Sequence, residues 1–148
     1  MIPRSALILG IAGLIPFVWG ALTLLNDSLA AFGAANFGPR FVGPYVQLSY
    51  GTVILGFMSG VLWGFATRAT GLLAATGYAL SVIPALWAFF FVGGGPGSAA
   101  IYLIAGFVGL IGLDWHFWRN GLAPEWWMPL RLGLTGVVVA CLAVGLLQ

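Results

Sequence analysis

The stretch GLLAATGYALSVIPALWAFFFV, residues 71–92, contains no charged side chain, and its polar groups are confined to Thr76, Tyr78 and Ser81. A helix needs ~20 apolar residues to cross a hydrocarbon layer about 30 Å thick, and this run has that length. A strand of a membrane barrel would be about ten residues long and would alternate apolar with polar, which this run does not do. It reads as a membrane-spanning helix, because only helices and closed barrels can satisfy every backbone polar group in lipid.

Four other runs share its character: Ser5–Leu25, Val46–Thr67, Ser98–Phe117 and Leu130–Leu147. The sequence therefore predicts an all-α integral membrane protein, a five-helix transmembrane bundle that forms one domain over residues 1–148. Composition agrees. Charged residues make up 5% of the chain, against about 25% in a soluble domain, and mean hydropathy is +1.09. The net charge of +2 comes from five dispersed arginines, which leaves no basic footprint for nucleic acid. Cys141 is the single cysteine, so neither an intramolecular disulfide nor a cysteine metal site can form. No metal or cofactor is expected, since His116 is the only histidine and cannot alone supply both axial ligands of a haem.

Turn chemistry separates the runs. Asn26-Asp27-Ser28 closes the first, Gly43-Pro44 precedes the second, and Arg68 divides the second from the third. Gly93 to Gly97 divides the third from the fourth, and Arg119-Asn120-Gly121 through Pro124 and Pro129 divides the fourth from the fifth. Trp19 and Trp87 fall toward one membrane face, and Trp63, Trp115, Trp118, Trp126 and Trp127 toward the other. Arg4, Arg68, Arg119 and Arg131 share a side and Arg40 opposes them, which predicts the N-terminus inside and the C-terminus outside. The first run opens like a signal peptide, and Ser28-Leu29-Ala30 resembles a cleavage site. Its length and Pro16 favour a retained span. The segment 26–44 carries Leu29, Phe32, Phe37 and Phe41, and is expected to lie in the outer interface with a short helix starting after Ser28.

Several residues are candidates for function. Gly56, Gly60 and Gly64 recur at four-residue spacing on the second span, and Gly106, Gly109 and Gly112 thin one side of the fourth. Such faces let a neighbouring backbone approach closely, either inside the bundle, the simpler expectation, or against another subunit. Pro16 and Pro84 each remove a mid-span hydrogen bond and should kink their helices, shaping either plain packing or a lipid-like ligand site. Asp114 near the end of the fourth span and Arg131 at the start of the fifth both oppose the helix dipole, which predicts that they pair, with Arg68 and Arg119 as competitors. An enzyme would have to work through Asp114, His116 and Glu125. No charged residue lies mid-span, and no hydrolase, zinc or phosphate-binding motif is present.

Particular strings add a resemblance. Leu14-Ile15-Pro16-Phe17, Tyr50 to Leu55 continuing to Gly60 and Trp63-Gly64, and Gly121-Leu122-Ala123-Pro124 through Leu130-Arg131 and Leu134-Thr135 resemble a domain-of-unknown-function membrane family. That family includes bacterial inner-membrane proteins and the mitochondrial transmembrane protein sixty-nine. The chain departs from it at Leu62, which stands where the family pattern has a histidine before Trp-Gly. The resemblance implies an integral five-helix protein of the bacterial inner (cytoplasmic) membrane, or of the mitochondrial inner membrane in a eukaryote, and it brings no activity. The function expected is that of a non-enzymatic accessory subunit or assembly factor. Besides the lipid bilayer, its partner would be a larger membrane protein complex or further copies of itself. The alternative is a small permease or a binder of a lipid-like ligand.

Overall fold

Proline lacks an N–H and clashes with the preceding turn, so it breaks a helix at mid-length but is accepted in the first turn, where the donors are unpaired anyway. Both outcomes occur in this chain. In the computed structural model, which describes all 148 residues, α1 (Arg4–Ala12) and α2 (Ile15–Leu25) form the first span, interrupted just before Pro16. After α3 (Asp27–Phe37) and a 3-10 turn (Pro39–Phe41) comes the long α4 (Gly43–Ala66). The third span is likewise two pieces, α5 (Gly71–Ser81) and α6 (Ile83–Phe91), divided before Pro84. Two unbroken helices follow, α7 (Pro96–Arg119) and α8 (Trp127–Leu147).

Five stretches, Arg4–Leu25, Gly43–Ala66, Gly71–Phe91, Pro96–Arg119 and Trp127–Leu147, are long and apolar enough to cross a membrane. The second and fifth begin three residues earlier than their hydropathy suggests, because Pro44 and Pro129 sit in first turns instead of ahead of them. Helix α3 also starts earlier than expected. Its cap is Asn26, whose Oδ1 accepts from the Leu29 N–H at 3.0 Å, and not Ser28. Trp19 donates to the Phe41 carbonyl at 2.7 Å and ties the 3-10 turn back to α2.

The centre of the bundle is α4, which packs against α2, α5, α6 and α7, while α8 closes the ring against α7 and α2. Phe17, Leu55, Leu62, Leu103, Phe107, Leu110, Phe117 and Leu142 fill the core. Bulky apolar side chains such as Ile8, Val53, Phe57, Leu72 and Phe89 point outward, the distribution that a lipid solvent accepts and water does not.

Polar groups link the helices at several points. Gln47 on α4 donates from Nε2 to the Phe17 carbonyl at 3.0 Å and to the Cys141 carbonyl at 3.1 Å, so one amide joins three spans. This requires Gly20. A Cβ there would lie 2.5 Å from Gln47 Cγ and 3.0 Å from the Gly43 carbonyl oxygen. One turn away, Thr23 Oγ1 accepts from the Gly43 N–H at 2.7 Å and donates to the Gly20 carbonyl at 2.9 Å. At the second helix break, the Ala85 N–H donates to Ser59 Oγ at 2.8 Å, so a neighbouring helix supplies the partner.

Candidate functional site

Helical periodicity places Leu110, Asp114 and Phe117 on the inward face of α7, and Arg131, Thr135, Val138 and Leu142 on the inward face of α8. The short connection from Asn120 to Trp126 brings these faces together. It is held by Arg68, which donates from Nη1 to the Leu122 carbonyl at 2.9 Å, and by Trp118, which donates to the Glu125 carbonyl at 3.1 Å.

Asp114 is fully buried there, and both of its oxygens are engaged. Oδ1 accepts from the Trp127 indole at 2.9 Å, and Oδ2 accepts from Arg131 Nε at 3.0 Å. Both groups lie about one turn inside their helices, Asp114 before the end of α7 at Arg119 and Arg131 after the start of α8 at Trp127. The helix-dipole penalties are weak there, and each buried charge is offset chiefly by its partner. Neither competing arginine reaches Asp114. Arg68 is on the Leu122 carbonyl, and Arg119 lies over the Trp115 ring at 4.9 Å. Trp127, placed by the sequence only at the membrane face, is the second partner of the carboxylate. No spacing rule singles it out from the other interfacial tryptophans.

The pair leaves two donors over. Arg131 Nη2 and Thr135 Oγ1 are buried without a hydrogen-bond partner, although Arg131 is only 6% exposed and Thr135 only 7%. Both residues line a half-open cavity of about 230 Å³ between the first span, α4 and α8. Its other walls are apolar: Gly10 and Gly13 on the α1 side, Phe17 and Phe107 behind, Phe57 and Met58 from α4, and Trp126 and Trp127 at the entrance to α8. Thr135 follows Arg131 by one helical turn, a spacing visible in the sequence. What the sequence hides is that its hydroxyl forgoes the usual bond to the preceding carbonyl.

Neither Pro16 nor Pro84 lines this cavity, although Gly13 and Leu14, at the break that Pro16 causes, do. Pro16 faces a shallow groove with Trp19, Phe32 and Phe37 beside α3, and Pro84 faces a small depression with Trp87 and Gly106. The glycine faces also divide differently from the expectation of internal packing. Gly106 is packed, with the Trp87 ring 2.9 Å and Leu55 Cδ1 3.1 Å from the place of a Cβ. Gly56, Gly60, Gly64, Gly109 and Gly112 have nothing within 4 Å, so they lie on the outside of the bundle. The internal close approaches fall instead at Gly20, Gly33, Gly51 and Gly77, isolated glycines that form no repeat. His116 Nε2 is buried and unpartnered, its ring set edge-on to Phe117 at 5.5 Å. Glu125 is exposed, and no hydrogen bond joins Asp114, His116 and Glu125.

Five apolar crossings closed around a buried ion pair define a polytopic α-helical membrane protein. A family model described as protein of unknown function (DUF3429) matches residues 2–147, and the chain belongs to that family. Over 152 aligned residues covering 99% of the chain, it is 34% identical to Transmembrane protein 69 of Xenopus tropicalis. It spans about half of that relative, 55% of its length. No solved structure matches the chain.

Proposed function

We propose that the protein is a non-enzymatic component of an energy-transducing inner membrane, bacterial or mitochondrial, that packs laterally against a larger membrane complex as an accessory subunit or assembly factor. The observation that carries this reading is the outer face of α4. Gly56, Gly60 and Gly64 form a continuous groove there with no atom of the bundle within 4 Å, walled by the exposed side chains of Val53, Phe57 and Trp63. Lipid tails gain little from such a groove, whereas a second helix gains close backbone contact along its whole length. The N-terminus lies inside in this reading, with four arginines on that side.

Mild-detergent extraction, native electrophoresis and mass spectrometry of the co-migrating chains test it. Wild-type protein should migrate within a stoichiometric assembly, and Gly60→Leu should release it as a folded monomer. Migration of the wild type alone would overturn the reading, and a homo-oligomer would redirect the groove to a second copy. The cavity beside Arg131 favours a second reading, a membrane protein that holds a lipid-like ligand or passes it across the bilayer.

A further inference from the structure

The cavity between α1, α4 and α8 combines features that select a ligand chemistry. Its volume of about 230 Å³ exceeds the roughly 150 Å³ that accommodates one benzene ring in an apolar protein interior. Aromatic rings from Phe17, Phe107, Trp126 and Trp127 face it, a lining suited to a flat or branched apolar body. Arg131 and Thr135 line this apolar space, each more than nine-tenths buried and each with an unpartnered polar atom. Both can donate, and an unmade hydrogen bond in such surroundings is expensive. The arginine charge is already matched by Asp114 Oδ2 at 3.0 Å. A carboxylate or phosphate entering the cavity would therefore add an uncompensated charge to a low-dielectric site, whereas a neutral acceptor adds none.

We infer that the cavity binds a neutral apolar molecule that presents a carbonyl oxygen to Arg131 Nη2 and Thr135 Oγ1. This deepens the ligand-binding reading above and rests on it. Two sources share the chemistry: the ring carbonyl of a lipophilic quinone and the ester carbonyl of a neutral glyceride. One wall of the cavity is the half-helix α1, which buries none of its residues, so an alkyl tail passing beside it would reach the bilayer.

The test uses the full chain in detergent micelles, titrated with decylubiquinone, dioleoylglycerol and decylbenzene. The saturable part of the tryptophan quenching that is lost in a Trp126→Phe variant reads the quinone, and retained mass in native mass spectrometry reads all three. Decylubiquinone or dioleoylglycerol should bind saturably, the arm that binds identifying the source. Thr135→Val should weaken that binding by about 2- to 10-fold, the loss of one hydrogen bond, and Ala6→Phe at the cavity edge should abolish it. Thermal melts report whether each variant is folded, and Thr135→Val, which keeps the side-chain shape, serves if Ala6→Phe is not. Equal binding of decylbenzene, unaffected by Thr135→Val, would overturn the carbonyl inference and leave the ligand-binding reading standing. Retention of none of the three would overturn both and leave water as the partner of the two donors.

Discussion

Asp114 and Arg131 are placed where a single change has the largest expected effect. Removing one member of a buried pair strands the other charge, at about 3–5 kcal/mol, while replacing both by apolar side chains is far milder. Arg131→Met should therefore lower the melting temperature in detergent sharply, and Asp114→Leu combined with Arg131→Met should recover much of the loss. Equal loss in the single and double variants would mean that the pair adds nothing beyond packing. A smaller effect belongs to Gly20. Gly20→Ala forces a methyl to within 2.5 Å of Gln47 Cγ and should cost about 1–3 kcal/mol through displacement of the amide that joins three spans. At this scale the sequence was partly legible. Two residues that each oppose a helix dipole across one hairpin point to each other, and they lie 3.0 Å apart. Thr135 was not legible, because a threonine in a membrane helix ordinarily satisfies itself and only the three-dimensional arrangement shows that this one does not. Gly20 and Gly77 escaped notice for a related reason: a glycine without a repeat carries no pattern, yet a Cβ at either would lie within 3.0 Å of a side-chain atom from another helix.

Within elements, the position of each proline decided what could be read. Pro16 and Pro84 were legible as interruptions because each lies far from either end of an apolar run, and helices do end just before them. Pro44 and Pro129 marked boundaries three residues too late, since proline at a helix start looks the same in sequence as proline ahead of one. The repair at Pro84 was not readable, as it comes from Ser59 on another helix. Ser59→Ala leaves the Ala85 N–H without its acceptor, and we expect about 1–3 kcal/mol of destabilisation together with faster amide exchange at Ala85. Unchanged exchange would show that another acceptor takes over. In α3 the side chain of Asn26 holds the first turn. Asn26→Ala should cost about 0.5–2 kcal/mol locally, seen as loss of exchange protection confined to Asp27–Phe37.

For the molecule as a whole, the outer and inner glycines separate association from folding. Gly60→Leu adds a side chain into open space and should leave the melting temperature unchanged while altering migration on native gels. Gly106→Leu drives into Trp87 and Leu55, and should destabilise the bundle whatever its oligomeric state. If both variants lose stability equally, the face of α4 is not free. Topology is checked with impermeant thiol reagents in a Cys141→Ala background. Gly94→Cys should label from outside and Asn120→Cys only after the membrane is opened, and the opposite pattern would reverse the orientation. The number of crossings was legible from hydropathy because lipid imposes one length on every span. Which glycine face looks inward was not, since lipid and protein are equally apolar neighbours and the sequence offers no polar stripe to tell them apart.

The half-helix Arg4–Ala12 buries no residue, although it carries half of the first crossing. Its hold on the rest of the molecule is a light touch on α8, where Gly10 meets Leu134. A saturation scan of this protein should therefore be uneven along a single span. From Ser5 to Ala12 almost any apolar residue should serve, with Gly10 and the cavity-lining Ala6 the exceptions, while from Phe17 to Thr23 few substitutions should be accepted. The first turns of the chain are free to drift in sequence so long as they remain soluble in fat.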